Sequence, residues 1–312
     1  MKVAVAGAGL IGRSWAIVFA RGGHDVSLWD HDEAQPRRAL ESIATSLRDL
    51  ENAGLIDSAN AVFGRIAVAP TLAQAVANAS HVQENVAERL EPKQQLFAEI
   101  ESRVPPDAIL ASSTSAIMPS LIFGGLKSRH RCLVAHPMNP PHLAPFVELS
   151  GAEFTDAGTI AKTRSFMSSC RMSPITVIRE IEGFVLNRLQ HALLAEAFRL
   201  IANGYVSADD LDKALKDGLA LRWSFMGPVE TIDYNAPGGV ADYMARYGET
   251  VRAVANPETS GPEWPADIGQ RLALERRKLV PESRLAEAQA WRDRRLMALA
   301  AHKREAEKKF PR

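Results

Sequence analysis

The first thirty residues contain a glycine-rich turn between an apolar strand-like run and an apolar helical pattern. Residues 2–6 form the run, a G-x-G-x-x-G motif follows, and residues 14–21 continue with helical periodicity. In such a turn the first glycine permits a tight bend, the second lets a pyrophosphate approach the backbone, and the third lets helix and strand pack closely. The N–H groups at the helix N-terminus would bind the phosphates. The predicted cofactor contacts in this turn are Gly7, Gly9, Leu10, Ile11 and Gly12.

A second predicted strand, residues 25–30, ends in a carboxylate 18 residues after the third glycine. An acid at roughly this distance, about 20 residues, is typical of a group that hydrogen-bonds the adenosine ribose. The carboxylate of Asp30 would repel the 2′-phosphate of NADP, and residues 31–33 offer no Lys or Arg to bind that phosphate. The sequence therefore predicts NAD rather than NADP as the cofactor.

Strand-like and helical runs alternate along the chain as far as His136, and from Arg188 onward the pattern is helical. Alternation of this kind is typical of a parallel sheet, which binds its ligands at the carboxyl ends of its strands. We predict an α/β fold with an N-terminal Rossmann-type, mainly parallel sheet in residues 1–183 and a C-terminal all-α substrate domain in residues 184–312. The predicted strands span residues 2–6, 25–30, 65–68, 81–84, 108–112 and 131–136, and a long C-terminal helix spans residues 282–308.

The composition excludes several classes of partner. With 312 residues, 46% of them hydrophobic, and no net charge, the chain can bury a large core. It has no basic patch interleaved with aromatic residues, which argues against nucleic acid, and the basic residues after position 271 are interpreted as a solvated helix face. Cys132 and Cys170 lack metal-ligand spacing, so we predict reduced thiols and no metal site. A strand beginning at residue 2 and the lack of a long apolar run predict a cytoplasmic protein without a membrane partner.

Within residues 134–149, one imidazole, that of His136, and one carboxylate, that of Glu148, stand at predicted strand ends. An imidazole such as that of His136 can accept the proton of an alcohol near neutral pH. A carboxylate such as that of Glu148 can hydrogen-bond the second ring nitrogen and favour the cation that forms. A histidine and a carboxylate in this arrangement are typical of the general base of a dehydrogenase. The alternative is that Glu148 is an ordinary solvated charge.

Taken together, these motifs resemble the 3-hydroxyacyl-CoA dehydrogenase family over nearly the whole chain. Besides the glycine turn and Glu148, the residues that carry the resemblance are Glu84-Asn-Val-Ala-Glu88, Ser112-Ser-Thr-Ser115, His136-Pro-Met-Asn139-Pro and Gly183-Phe-Val-Leu-Asn187-Arg188. The resemblance implies an NAD-dependent enzyme that forms a homodimer through its helical domain.

The resemblance also implies a role for each polar residue in these motifs. His136 would be the general base and Glu148 its hydrogen-bonding partner, while Ser115 and Asn187 would hydrogen-bond the reacting oxygen. Ser115 and Asn187 could instead be helix caps. Glu84 and Lys93 would lie near the nicotinamide, with ordinary structural roles as the alternative. Substrate contacts are predicted from Ser115, Asn139, Asn187 and Arg222.

Within the family the chain most resembles the λ-crystallin branch, whose enzymatic identity is L-gulonate 3-dehydrogenase. This closer resemblance rests on residues 111–115, 134–141, 183–190 and 217–230. It implies NAD-dependent oxidation of the 3-hydroxyl of a small free hydroxy acid, namely L-gulonate to 3-dehydro-L-gulonate. The alternatives are a 3-hydroxyacyl-CoA dehydrogenase acting on 3-hydroxybutyryl-CoA, a carnitine 3-dehydrogenase, and a crystallin-like NAD-binding structural protein.

Three further observations bear on the substrate. Ser113 stands where the acyl-CoA enzymes usually have asparagine, and residues 40–63, which approach coenzyme A in those enzymes, contain Arg48 as their one basic residue beside four acids. Little positive charge is thus available for the phosphates of coenzyme A. Arg222 lies in a mainly apolar segment, where a guanidinium needs an anion. We expect that anion to be the substrate carboxylate, with a salt bridge to Glu230 or Asp233 as the alternative.

Overall fold

A computed structural model describes residues 1–224, 226–237, 239–255, 278 and 281–311 of the chain. Its centre is one eight-stranded sheet with the order β3-β2-β1-β4-β5-β6-β7-β8. The first six strands are parallel, in the doubly wound order of dinucleotide-binding domains, so the predicted Rossmann-type sheet is confirmed. The strands are β1 (Lys2–Ala6), β2 (Asp25–Trp29), β3 (Ile66–Val68), β4 (His81–Glu84), β5 (Ile109–Ser112), β6 (Cys132–Pro137), β7 (Phe146–Ser150) and β8 (Ser173–Val177).

Helices cover both faces of this sheet, and further helices follow it in the chain. Those of the sheet region are α1 (Leu10–Arg21), α2 (Gln35–Asn52), α3 (Ala59–Phe63), α4 (Leu72–Val76), α5 (Leu90–Glu101), α6 (Pro119–Phe123) and α7 (Ala157–Ser169). Those that follow are α8 (Leu186–Ala202), α9 (Ala208–Lys213), a π-helical segment (Ala214–Leu219), α10 (Ala220–Trp223), α11 (Pro228–Tyr234), α12 (Gly239–Ala255) and the C-terminal helix (Leu285–Lys309). The predicted helical pattern after Arg188 is thus confirmed for the residues that the structure describes, and residues 256–277 and 279–280 lie outside them. None of the described helices is long and apolar enough to span a membrane.

The central strand β1 separates two apolar clusters, because successive side chains of a strand point to opposite faces. Val3 and Val5 belong to the cluster that contains α1, whereas Ala4 and Ala6 belong to the cluster that contains α5. All four side chains are essentially inaccessible to solvent. Burial on both faces explains why β1 is a continuous apolar run without polar alternation.

Three elements of this region were not among the predicted strands and helices, although Glu148 was expected at a strand end and is the middle residue of one of them, β7. Strand β7 pairs antiparallel with β6, and β8 pairs parallel with β7, so the sheet extends beyond the six predicted strands. The buried face of α7 includes Thr159 and Thr163 together with Met167. The two threonine hydroxyls are satisfied by backbone carbonyls, so they can occupy core positions without making the helix look apolar in sequence.

The chain divides into two compact units, one comprising Met1–Arg188 and Ala286–Arg312 and the other Leu189–Leu285. The first unit thus contains the C-terminal helix, which the predicted domains of residues 1–183 and 184–312 placed with the other helices. Met297 of that helix is buried in the cluster around α1. Arg304 donates a 3.3 Å hydrogen bond to the carbonyl of Leu55. These contacts join positions some 250 residues apart in sequence, which local patterns do not encode.

The glycine turn has two positions where a side chain cannot be placed. Gly7 adopts φ +99°, a region that L-residues rarely occupy, and a Cβ atom there would lie 2.7 Å from the backbone of Asn85. A Cβ atom on Gly12 would lie 1.8 Å from the carbonyl oxygen of Gly7. Around Gly9, by contrast, no atom lies within 4 Å of the corresponding position.

Alanine substitutions at Gly12 and Gly9 should therefore differ in their effect on stability, because only the first removes close packing between helix α1 and the turn. We predict that Gly12→Ala lowers the free energy of unfolding by about 3 kcal/mol, because helix α1 must move away from the turn. Gly9→Ala should change it by less than about 1 kcal/mol, since its methyl group enters open space. Denaturant unfolding of both variants measures this difference. Equal stability of the two variants would contradict the packing described for α1.

Candidate active site

A pocket of about 280 Å³ lies at the carboxyl edge of the parallel strands, where chain segments following β1, β4, β5 and β6 meet. Five of the predicted site residues line it: Ile11, Lys93, Ser115, His136 and Asn139. It is also lined by residues that had not been assigned to the site, namely Asn85, Val86, Glu88, Ser113 and Pro137. The pocket therefore brings together residues predicted separately for cofactor and for substrate, as expected for this edge of an open α/β sheet.

His136 and Glu148 are direct partners across the antiparallel pair β6–β7. The imidazole Nδ1 lies 3.0 Å from Oε1 of Glu148, and both side chains are buried, Glu148 completely. If Nδ1 carries the proton that this contact requires, Nε2 of the neutral ring is a proton acceptor. The strand register thus explains how residues twelve positions apart form the predicted pair.

The carboxylate of Glu148 also binds the start of helix α8. Its Oε2 accepts a 2.7 Å hydrogen bond from the backbone N–H of Val185, and both oxygens accept from the N–H of Leu186 at 3.1 Å. A helix N-terminus has free N–H groups and a favourable dipole for an anion. These bonds compensate for the burial of the carboxylate and restrict its position. The ring of Phe184 lies 5.7 Å from the imidazole ring of His136.

Ser115 and Asn187, both predicted to hydrogen-bond the reacting oxygen, are neighbours. The side-chain amide of Asn187 donates a 2.7 Å hydrogen bond to the carbonyl of Ser115. The hydroxyl of Ser115 donates to Oε1 of Glu88 at 3.2 Å. Ser115 lines the pocket. Asn187 is not among the lining residues, and its side chain contacts the backbone of Ser115.

Lys93 is 1% exposed and lies between two carboxylates. Its ammonium is 2.9 Å from Oε1 of Glu84 and 3.2 Å from Oε2 of Glu88. Glu84 is completely buried and also accepts hydrogen bonds from the backbone N–H of Val86 and the hydroxyl of Ser112. Glu84 is not among the residues that line the pocket, and its contact with the pocket is through Lys93.

The carboxylate in the pocket wall is that of Glu88, which belongs to the motif of residues 84–88 but had no predicted role. Its Oε1 accepts hydrogen bonds from the hydroxyl of Thr114 at 2.6 Å and the backbone N–H of Ser115 at 2.7 Å. Burial raises the pKa of Glu88, but the hydrogen bond from Thr114 and the charge of Lys93 outweigh it, so the pKa is lowered overall. For Glu84, burial is the largest effect and raises the pKa despite the adjacent charge of Lys93.

The glycine turn has the features that a dinucleotide requires. Gly9 precedes the first residue of α1 and no side chain caps that helix, so its first N–H groups are available to phosphate oxygens. The space beside Gly9 is open. Asp30 directly follows β2, and its Oδ2 accepts a 2.6 Å hydrogen bond from the N–H of Ala8. The carboxylate predicted to contact the ribose thus lies directly beside the turn.

Ser113, which replaces the usual asparagine, is held by three polar neighbours at the base of the pocket. Its hydroxyl oxygen accepts hydrogen bonds from the indole N–H of Trp15 at 2.9 Å and the amide of Gln83 at 2.8 Å. It donates to Oδ1 of Asn85 at 2.8 Å. A small hydroxyl fixed in this way leaves more room in the pocket than an asparagine side chain.

Arg222 lies on α10 in the second unit and is exposed. Within the described part of the chain it forms no ion pair. The alternative prediction, a salt bridge from Arg222 to Glu230 or Asp233, is therefore not observed. Its guanidinium is available to an anion from solution. Asn139, which was also predicted to contact the substrate, is exposed and lines the pocket.

Comparison with known proteins gives consistent matches along the chain. The family model of the 3-hydroxyacyl-CoA dehydrogenase NAD binding domain matches residues 2–181, and that of the C-terminal domain of the same family matches residues 183–260. A lambda-crystallin homolog from Rattus norvegicus is 41% identical over 303 residues, covering 96% of this chain and 95% of that protein. An L-carnitine dehydrogenase from Nocardiopsis dassonvillei is 35% identical over 307 residues, covering 98% and 92%.

Among solved structures, the chain is similar to an NAD⁺-dependent 5-formyl-3-hydroxy-2-methylpyridine 4-carboxylic acid 5-dehydrogenase. The TM-score is 0.73 at 27% identity, and the match covers 92% of this chain and 98% of that chain. The likeness therefore extends over nearly the full length of both chains.

The buried ion pair of Lys93 gives a test of stability. We predict that Lys93→Met lowers the free energy of unfolding by about 3–5 kcal/mol, because Glu84 remains buried without its cation. In the variant the pKa of Glu84 in the folded state rises further above its value in the unfolded state. A carboxyl with this shift stabilises the fold at low pH, and this contribution is lost as the pH rises. The deficit should therefore be smaller at about pH 5 than at about pH 8.

Denaturant unfolding of Lys93→Met and wild type at both pH values measures this effect. Lys162→Met, which removes an exposed lysine, is the matched control and should change stability by less than about 0.5 kcal/mol. A deficit for Lys93→Met that is the same at both pH values would contradict the assignment of Glu84 as the group left without a partner.

Proposed function

This chain belongs to the 3-hydroxyacyl-CoA dehydrogenase family of NAD-dependent dehydrogenases, and from that premise we propose that it oxidises the 3-hydroxyl of a small free hydroxy acid. The proposed substrate is L-gulonate and the product 3-dehydro-L-gulonate. The observation that carries the proposal is the 3.0 Å contact of His136 with the buried Glu148, since His136 lines the same pocket as Ser115 and Asn139.

In the proposed reaction His136 accepts the proton of the 3-hydroxyl through Nε2. Glu148 holds Nδ1, keeps the ring in the required orientation and stabilises the imidazolium that results. The backbone bonds from Val185 and Leu186 fix the carboxylate, so little reorganisation is needed when the ring becomes charged. Ser115 and Asn187 are proposed to orient the reacting oxygen, with Glu88 holding the Ser115 hydroxyl at the edge of the pocket.

Bound NAD supplies the acceptor for the hydride that leaves the same carbon. The residues proposed to hold this cofactor are Gly7, Gly9, Leu10, Ile11, Gly12, Asp30 and Lys93, with Glu84 acting indirectly through Lys93. The open space beside Gly9 and the uncapped start of α1 support this assignment. Asp30 favours NAD over NADP, since its carboxylate beside the turn would repel a 2′-phosphate.

Two observations support a free acid over a coenzyme A thioester. Residues 40–63 contain one basic residue, Arg48, and its side chain contacts Thr45 of its own helix. In addition, the names of two relatives specify small molecules, L-carnitine and a pyridine carboxylic acid. We propose that the exposed guanidinium of Arg222 binds the carboxylate of the substrate.

The second candidate is oxidation of the hydroxyl of L-carnitine, which the name of the 35% identical relative supports. A structural role without turnover, in the manner of a crystallin, is less consistent with the intact contact between His136 and Glu148. We also propose that the protein is a cytoplasmic homodimer that contacts its partner through the second unit. Exposed apolar side chains on α8 and α12 support this interface: Leu189, Leu193, Tyr247, Val251 and Val254.

The general-base assignment predicts a selective loss of turnover. His136→Gln should lower kcat by about 10²–10⁴-fold, because the amide cannot accept the hydroxyl proton. The dissociation constant for NADH should stay within about twofold, which is less than 0.5 kcal/mol. Steady-state rates of NADH formation and a fluorescence titration measure the two quantities. His302→Gln, at an exposed histidine of the C-terminal helix, is the matched control. Wild-type kcat in His136→Gln would exclude His136 as the base.

The substrate class is tested with L-gulonate, L-carnitine, 3-hydroxybutyrate and 3-hydroxybutyryl-CoA. We predict turnover of L-gulonate and a rise of about 10- to 100-fold in its KM in Arg222→Met, because a charge-assisted pair with the carboxylate is lost. Arg252→Met removes another exposed arginine of the second unit and should leave KM unchanged. Turnover of the thioester alone, with no effect of Arg222→Met, would contradict both the substrate and the role of Arg222.

A further inference from the structure

A second cavity, of about 440 Å³, lies between the C-terminal helix and the sheet of the same unit. We call it the basic cavity, because four cationic side chains line it: Arg21, Arg171, Lys303 and Arg304. Among its lining residues Glu307 is the one carboxylate. The basic cavity shares no lining residue with the pocket that contains His136.

Within the described part of the chain, none of the four cations forms an ion pair. Arg21 donates a 2.7 Å hydrogen bond to the carbonyl of His142, and Arg304 donates to the carbonyl of Leu55. These neutral acceptors do not offset the charge. Burial, and after it the charge of Arg171, lowers the pKa of Arg21 to about 10, so the guanidinium is still protonated at neutral pH.

Three buried nitrogen atoms at the basic cavity lack a hydrogen-bond partner among the residues that the structure describes. They are Nε of Arg21, Nε of Arg304 and Nδ1 of His142. A buried donor without a partner is costly, and such groups are uncommon in native proteins. Burial lowers the pKa of His142 to about 4, so this ring is neutral and does not add to the positive charge. Unpaired cations and two unsatisfied guanidinium N–H groups, together with an unpartnered ring nitrogen of His142, therefore converge on one cavity.

We infer that the basic cavity is a binding site for a phosphate-bearing small molecule. Guanidinium groups match the geometry and charge of phosphate oxygens. Four cations against one carboxylate favour a multivalent anion over a single carboxylate. The volume lies within the range of small-molecule sites, about 300–1,000 Å³, so there is room for an organic group beside the phosphate. The inference is independent of the proposed catalytic role of His136.

The site is tested with pyrophosphate as the probe, by calorimetric titration of the full chain saturated with NADH. Saturation with NADH keeps the glycine turn from binding the probe. We expect one saturable site, and a dissociation constant weakened by about tenfold or more in Arg171→Met/Lys303→Met, because two charge-assisted contacts are lost. Both side chains are exposed, so these substitutions spare the core. Glu307→Gln, which removes the one lining carboxylate, should tighten binding.

The matched control is Lys162→Met/Arg294→Met, which removes two exposed cations of α7 and the C-terminal helix that do not line the basic cavity. It should change the dissociation constant by less than about twofold. Two results would overturn the inference. One is the absence of saturable binding up to about 10 mM pyrophosphate, a concentration about tenfold above the dissociation constant of about 1 mM that a weak specific site would have. The other is an equal loss of affinity in both double variants, which would indicate general attraction to surface charge.

Discussion

The buried carboxylate of Glu148 is the contact on which the rest of the site depends. It lies opposite His136 in the β6–β7 register, and it accepts hydrogen bonds from Val185 and Leu186 at the start of α8. Burying this charge would be costly without these donors, and with them the position of the carboxylate is tightly restricted. The same contacts fix the first turn of α8, from which Asn187 reaches the carbonyl of Ser115. One side chain thus connects the imidazole, the helix start and the pocket wall.

On the opposite side of the pocket, Lys93 has a comparable role. Glu84 holds its ammonium from below and Glu88 contacts it in the pocket wall, while Glu88 also binds the segment of Thr114 and Ser115 through its other oxygen. Buried charges that are fully paired hold their neighbours in fixed positions, because any displacement leaves a charge unsatisfied in a medium of low dielectric constant. One wall of the pocket is therefore ordered by the hydrogen bonds of the buried Glu148 carboxylate and the other by the buried ion pair of Lys93 and Glu84, although several of their residues lie on loops after strands.

Several of these features could be predicted from the sequence because their cause is local. The turn around Gly7 and the position of Asp30 follow from short-range spacing, and His136 lies one residue before the end of β6, as expected for a strand end. Glu148, also expected at a strand end, is instead the middle residue of β7. The role of Glu88 could not be predicted from the residues themselves, since its hydrogen-bond donors lie 26 and 27 residues away. The same holds for the C-terminal helix, which packs on the sheet unit through contacts with residues near position 55. Patterns of hydrophobicity predict that a helix exists, but its packing partner depends on the tertiary fold.

The central claim is that Glu148 holds Nδ1 of His136 and leaves Nε2 free to accept a proton. Nitrogen NMR of the neutral imidazole, in wild type and in Glu148→Gln, tests it directly because the two ring nitrogens have different signals when protonated. The account predicts a proton on Nδ1 and none on Nε2 in the wild type, and a mixture of the two tautomers in Glu148→Gln. A wild-type ring protonated on Nε2, or a tautomer that Glu148→Gln leaves unchanged, would contradict the account.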